Sequence, residues 1–305
     1  MQEIQEIQKL IKEQSDKGTL ARFDVRDYEF RRVMKKENRA DIVQAYDSAP
    51  DIVAQTAVGK TWAKAGETGY DYDYDASLFS NLIYQAAMFP EGEIRNSHGY
   101  EYLISYDGID YRGDTMCSWS RTVNECLNRF GNGTLDNMGE TLSACITGFM
   151  QVVYTIGNFV PVPFLLLPKQ HSFNFWRNTL VNDYWDLSLY AIYRFYTGHQ
   201  EYYLNWPKWG RMFQCEENEH WLEQSAMGQV GWDSFVEQNF MQPFTVTENG
   251  SYGPPVPLWD DHFLKGGLPQ NEDQFKQFFT NATKRILARG ELIAKKVKET
   301  TTSAQ

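Results

Sequence analysis

Histidine is scarce in this 305-residue chain, and the five that occur do not cluster. His98, His171, His199, His220 and His262 stand far apart, with no cysteine or second histidine at metal-ligand spacing. No metal centre and no cofactor is therefore expected. Cysteine is equally sparse. Cys117, Cys126, Cys145 and Cys215 form no CxxC pair, and a chain of this length needs no disulfide framework, so free thiols are expected. Long apolar runs are missing: the longest, 159–167, contains Pro161 and Pro163 and falls far short of the roughly 20 residues of a membrane span. The opening Met1-Gln-Glu-Ile has neither the basic nor the apolar region of a signal peptide. These absences imply a soluble, cytoplasmic protein that does not engage a membrane. Basic residues are in deficit, 29 Lys plus Arg against 40 Asp plus Glu, for a net charge of −11. That argues against strong nonspecific nucleic-acid binding, which depends on neutralised phosphates.

Aromatic residues are abundant: 9 Trp, 18 Tyr and 19 Phe. With 42% hydrophobic residues the chain can bury a sizeable core. Tyr and Trp carry a polar tip that needs a partner when buried, so the core should be edged with side-chain hydrogen bonds. Charge is unevenly spread. Residues 67–114 hold ten acids against Arg95 and Arg112, and the stretch from Asn271 is basic. Such poles would allow a homo-oligomer to form head to tail; a solvated surface is the simpler meaning.

The apolar spacing predicts helices over 2–15, closed by Gly18, and over 77–88, 115–129, 138–154, 183–197 and 272–298. Residues 24–64 read as helical with a break, and 220–240 as helical with a break near Gly228 or Gly231. Asp107-Gly108, between aromatic and β-branched residues, predicts a hairpin within 100–113. Residues 71–75 read as a solvated acidic loop, 155–168 as irregular because of three prolines, and 243–269 as a loop. The expectation is a mainly α protein, a single helical domain spanning 1–305, with one small β-hairpin.

Residues 54–61, Ala-Gln-Thr-Ala-Val-Gly-Lys-Thr, are a degenerate phosphate-loop pattern with Ala54 in the first glycine position. No apolar strand precedes it, so a helix that happens to contain Gly-Lys-Thr is the better reading. Asp71, Asp73 and Asp75 have the spacing of a calcium loop but lack its glycine and closing glutamate. Asp183 and Asp186 share a helix face at its first turn, where they suit the helix dipole.

Arg194-Phe-Tyr-Thr-Gly-His199 resembles the R-x-x-x-x-H motif of HEPN ribonucleases. The resemblance implies metal-independent RNA cleavage with Arg194 and His199 as the catalytic pair. Phe195 departs from the usual polar residue, and the five-residue offset turns His199 well away from Arg194 on an ideal helix.

A second resemblance is spread over about half the chain. Residues 154–163 (Tyr-Thr-Ile-Gly-Asn-Phe-Val-Pro-Val-Pro), Phe173-Asn174, Arg177, residues 182–187 (Asn-Asp-Tyr-Trp-Asp-Leu), and 192–196 carry most of it. Residues 22–30 and 113–116 add to it. Together they resemble a family of uncharacterised bacterial and phage proteins without an assigned function. The residues themselves place Asn158, Asn174 and Arg177 among aromatics, where they must be solvated or bonded in a pocket. Asp186, Tyr190 and Arg194 follow at i, i+4 and i+8, either an internal ladder or, with Asp183, one wall of a polar cleft. The functional expectation is a binding or scaffold protein, in a setting such as stress or phage defence. The alternative is the HEPN-like ribonuclease.

Overall fold

The computed structural model describes residues 2–65, 73–164, 173, 184–198, 213, 216–223, 229–260 and 267–303. Along the chain run α1 (Gln2–Asp16), α2 (Val25–Lys36), α3 (Ala40–Asp47), α4 (Ile52–Ala65) and α5 (Leu78–Ala87). Then come β1 (Glu93–His98), β2 (Glu101–Tyr106), β3 (Ile109–Thr115), α6 (Trp119–Phe130), α7 (Glu140–Met150) and β4 (Phe159–Pro163). The last third holds α8 (Trp185–Tyr196), α9 (Glu216–Glu223), α10 (Gln229–Gln238), β5 (Thr245–Glu248), β6 (Ser251–Pro255) and α11 (Glu272–Ser303). The protein is mainly helical.

Local chemistry sets several boundaries. Asp24 caps α2 by accepting from the Asp27 N–H, and Ser77 caps α5 by accepting from the Ser80 N–H. Gly18 and Gly198 follow α1 and α8 at φ of 70° and 71°, the left-handed stop a helix C-terminus favours. The break within 24–64 is resolved as three separate helices, and α4 carries 54–61 in its interior. Its backbone N–H groups therefore belong to a helix, and no phosphate cradle exists there.

The β content is larger than one hairpin. Asp107 and Gly108, both at positive φ (48° and 77°), close the β2–β3 hairpin where the Asp-Gly pair predicts it. That hairpin is the centre of a four-stranded antiparallel sheet ordered β1-β2-β3-β4. β4 lies in a stretch expected to be irregular. Its prolines, Pro161 and Pro163, are two residues apart, so their nitrogens share one side of the strand. β4 is the edge strand, where a missing N–H on the outer side leaves the ladder intact. Thr115, expected to open a helix, instead ends β3 opposite Phe159. The loop expected over 243–269 contains the β5–β6 hairpin.

The buried apolar residues form one contiguous core. Several of its polar tips are hydrogen-bonded, whereas the buried Tyr46 hydroxyl has no hydrogen-bond partner among the described residues. Trp119 Nε1 donates to Tyr154 Oη at 2.8 Å, Tyr196 Oη to the Leu222 carbonyl at 2.6 Å, and Trp232 Nε1 to the Gly253 carbonyl at 3.0 Å. α11 packs on α7, α5 and α1. Its Arg289 is fully buried and donates to the carbonyls of Phe159 (2.6 Å), Gly157 (3.0 Å) and Asn239 (3.1 Å). Burial, only partly opposed by Tyr84, pushes the guanidinium down to about 9. Among the described residues, no helix is long and apolar enough to cross a membrane.

Candidate functional site

Several residues picked from the sequence serve the fold. Asn158 is fully buried: its Oδ1 accepts from the Cys117 N–H at 2.9 Å, and its Nδ2 donates to the carbonyls of Val153 (2.8 Å) and Cys117 (3.1 Å). With both ends of its amide spent on backbone, it fastens the entry of β4 to the end of β3 and is not a pocket residue. Asp186 is also fully buried, and its Oδ2 accepts from the Leu258 N–H at 2.8 Å. Further along α8, the half-buried Arg194 stands over the Tyr190 ring, 5.9 Å from its centroid. Asn174, Arg177, Asp183 and His199 lie outside the described residues, so the geometry of an Arg194–His199 pair is not part of the picture.

The acidic stretch 71–75 corrects a second expectation. Asp71 lies outside the described residues, but Asp75 is buried in a 3₁₀ turn, Tyr74–Ala76, packed against β3. Its Oδ2 accepts from Thr115 Oγ1 at 2.7 Å, and its carbonyl accepts from Tyr84 Oη at 2.9 Å. Gly113 sits against the same turn so closely that a Cβ there would collide with the Asp75 carbonyl. Burial, reinforced by Asp73 and Asp114, pushes the Asp75 carboxyl up to about 8. Arg112 opposes that shift, and it bonds Asp73 at 2.6 Å and Glu101 at 3.0 Å. Burial and its acidic neighbours thus favour the protonated form of Asp75 in the folded chain. Through its bonds to Thr115 and Tyr84, Asp75 holds the turn on the sheet. The described residues contain no group of three or more His, Cys, Asp or Glu side chains able to hold a metal ion.

A basic, partly apolar surface lies on α2. Residues 22–39 carry seven Lys and Arg against four Asp and Glu, a local charge of 7 − 4 = +3 in a chain of −11. A groove of about 820 Å³ runs between α1 and α2, floored by Leu10, Phe23 and Tyr28. Phe23 stacks on Phe79, ring centroids 5.1 Å apart, which fixes that floor. Beyond Arg31 and Lys35, which line both, a second depression of about 510 Å³ continues to Met34, Arg39 and Val43. The cations along the trough fall into two kinds. Arg31 is held by Asp27 (3.0 Å) and Asp47 (2.8 Å), Arg32 by Glu29 and Glu3, and Arg39 by Asp41 (3.0 Å). Arg22 and Lys35 are exposed and have no ion-pair partner among the described residues. The signal in the sequence is the run Arg31-Arg32-x-x-Lys35-Lys36, whose i, i+4 spacing stacks positive charge along a helix.

No protein-family model, curated protein or solved structure matches the chain.

Proposed function

We propose that this chain is a binding protein whose α2 trough receives an acidic amphipathic helix of a partner protein. The observation that carries this reading is the pairing of an apolar floor (Leu10, Phe23, Met34, Val43) with a rim holding two cations, Arg22 and Lys35, that have no partner within the described fold. An acidic amphipathic helix supplies both complements, apolar side chains at i, i+3, i+4 and i+7 for the floor and carboxylates for the rim. The trough is shallow and follows a 12-residue helix, which suits a laid-on segment better than an enclosed small molecule. The acidic remainder of the surface repels such a segment elsewhere and so helps to orient it. No observation on the described residues favours the ribonuclease alternative.

The test is fluorescence anisotropy with two labelled peptides of one amphipathic leucine pattern, one bearing Glu on its polar face and one bearing Lys. The Glu peptide is expected to bind at least about tenfold more tightly, with affinity falling as salt screens the rim. Equal binding of the two peptides, or tighter binding of the Lys peptide, contradicts the proposal.

A further inference from the structure

A second cavity, of about 590 Å³, has the opposite character to the trough. It opens between the tip of the β2–β3 hairpin and the helices α9 and α10, and its wall carries Asp107, His220 and Glu223. Among the described residues, no Lys or Arg lines it. Asp107 is the first residue of the hairpin turn, and its Oδ2 lies 3.6 Å from His220 Nε2. Three aromatic residues, Phe89, Tyr106 and Trp221, complete the wall, with Phe89 and Tyr106 in ring contact at 5.5 Å.

Backbone adds to the negative field. The chain leaves α5 through Met88 and Phe89, and it leaves α10 through Gln238 and Asn239; all four residues line the cavity. Two helix C-termini, the negative ends of their dipoles, therefore meet there. The Asn239 carbonyl accepts from the buried Arg289 Nε at 3.1 Å.

We infer that this cavity is a binding site for an elongated organic ammonium ion of the polyamine class. Three features select that chemistry. Carboxylates, helix C-termini and the faces of aromatic rings all attract positive charge. The acidic groups do not converge on one point, as a metal ion would demand, since no set of three can hold one among the described residues. Asp107 and Glu223 instead stand on separate elements, which fits a ligand with two separated positive centres, and the volume lies in the range of small-molecule sites. This inference does not rest on the reading of the α2 trough, which lies on other elements and takes the opposite charge.

The experiment is isothermal titration calorimetry with spermidine, using hexane-1,6-diol as a neutral probe of similar shape and Mg²⁺ as a point charge. One spermidine per chain is expected, saturating below about 1 mM, with little or no heat from the diol or from Mg²⁺. Asp107→Asn and Glu223→Gln should each weaken binding about tenfold or more. Both side chains are exposed, and Asn is well suited to the positive φ at 107, so circular dichroism and the melting temperature should match the wild type. Glu93→Gln, an exposed acid on β1, should leave the affinity unchanged. No saturable spermidine binding overturns the inference. So does an equal loss in Glu93→Gln, which would mean simple attraction to a −11 chain, or a Mg²⁺ response equal to that of spermidine.

Discussion

The side-chain amide of Asn158 and the backbone of Cys117 hold each other by two hydrogen bonds, one in each direction, at 2.9 and 3.1 Å. This lock joins the turn before β4 to the segment after β3, and the Met116 N–H adds a third strand-end bond to the Asn158 carbonyl at 2.7 Å. Both residues are fully buried, so neither end of the lock has water as a substitute. Asn158→Ala should therefore lower stability by about 2–3 kcal/mol, because it leaves the Cys117 N–H buried and unbonded. Asn158→Asp should fare no better, since it keeps the acceptor and loses the donor. Urea unfolding of the two variants checks this; a loss below about 0.5 kcal/mol in both would deny the lock its structural role.

Asp75 makes the fold sensitive to alkali. Its carboxyl titrates at about 8 in the folded chain and at 3.8 as an ordinary aspartate, so folding favours the protonated form. The stability it contributes is complete below pH 4, declines as the pH rises between the two values, and is fully lost above about 8. Asp75→Asn copies the neutral acid and can still accept from Thr115. The variant should melt with the wild type near pH 4 and several degrees above it at pH 9. A melting difference that does not grow with pH would show that Asp75 is ionised in the folded state.

Gly113 supports the same turn. Gly113→Ala should displace the Asp75 carbonyl and detach the turn from β3, with a loss of about 2 kcal/mol or more typical of overpacking. Hydrogen exchange should then quicken at the β3 amides and at Ala76 before it does so in α11. Unchanged exchange would mean that the turn yields freely.

Among the described residues, Arg289 anchors α11 without a carboxylate partner. Arg289→Met strips the carbonyls of Gly157, Phe159 and Asn239 of their donors and should cost about 3 kcal/mol or more in denaturant unfolding. Arg289→Lys should recover only part of that, because a single ammonium does not reproduce the planar fork. Equal stability of Met, Lys and wild type would contradict the assignment.

The helices were legible because their period is carried by residues that end up inside: Phe275, Phe278, Phe279, Ala282 and Ile286 of α11 are all fully buried. The hairpin turn was legible because Asp107-Gly108 is local chemistry. The outer strands were not. β1 and β4 depend on partners across the sheet, and Pro161 and Pro163 look like breakers until the strand is known to be an edge. Buried charge was legible only in part. Arg194, in an aromatic helix, is half-buried, whereas Arg289 is fully buried, because its acceptor carbonyls, on Gly157, Phe159 and Asn239, come from residues distant in sequence. Asn158 was visible as a polar residue among aromatics, but only the fold shows that Cys117 consumes it. The α2 trough escaped notice because its charge is local and the composition of the whole chain has the opposite sign.

Arg22 and Lys35, which have no ion-pair partner among the described residues, form the rim of the α2 trough, and one measurement addresses them directly. The Arg22→Glu, Lys35→Glu double variant is titrated by fluorescence anisotropy with the Glu-faced and Lys-faced peptides, alongside the wild type. Both side chains are exposed, so the double variant should melt within a few degrees of the wild type. It should lose the Glu-faced peptide by at least about tenfold and gain affinity for the Lys-faced one. Binding of the Glu-faced peptide at wild-type affinity by a folded double variant would contradict the account.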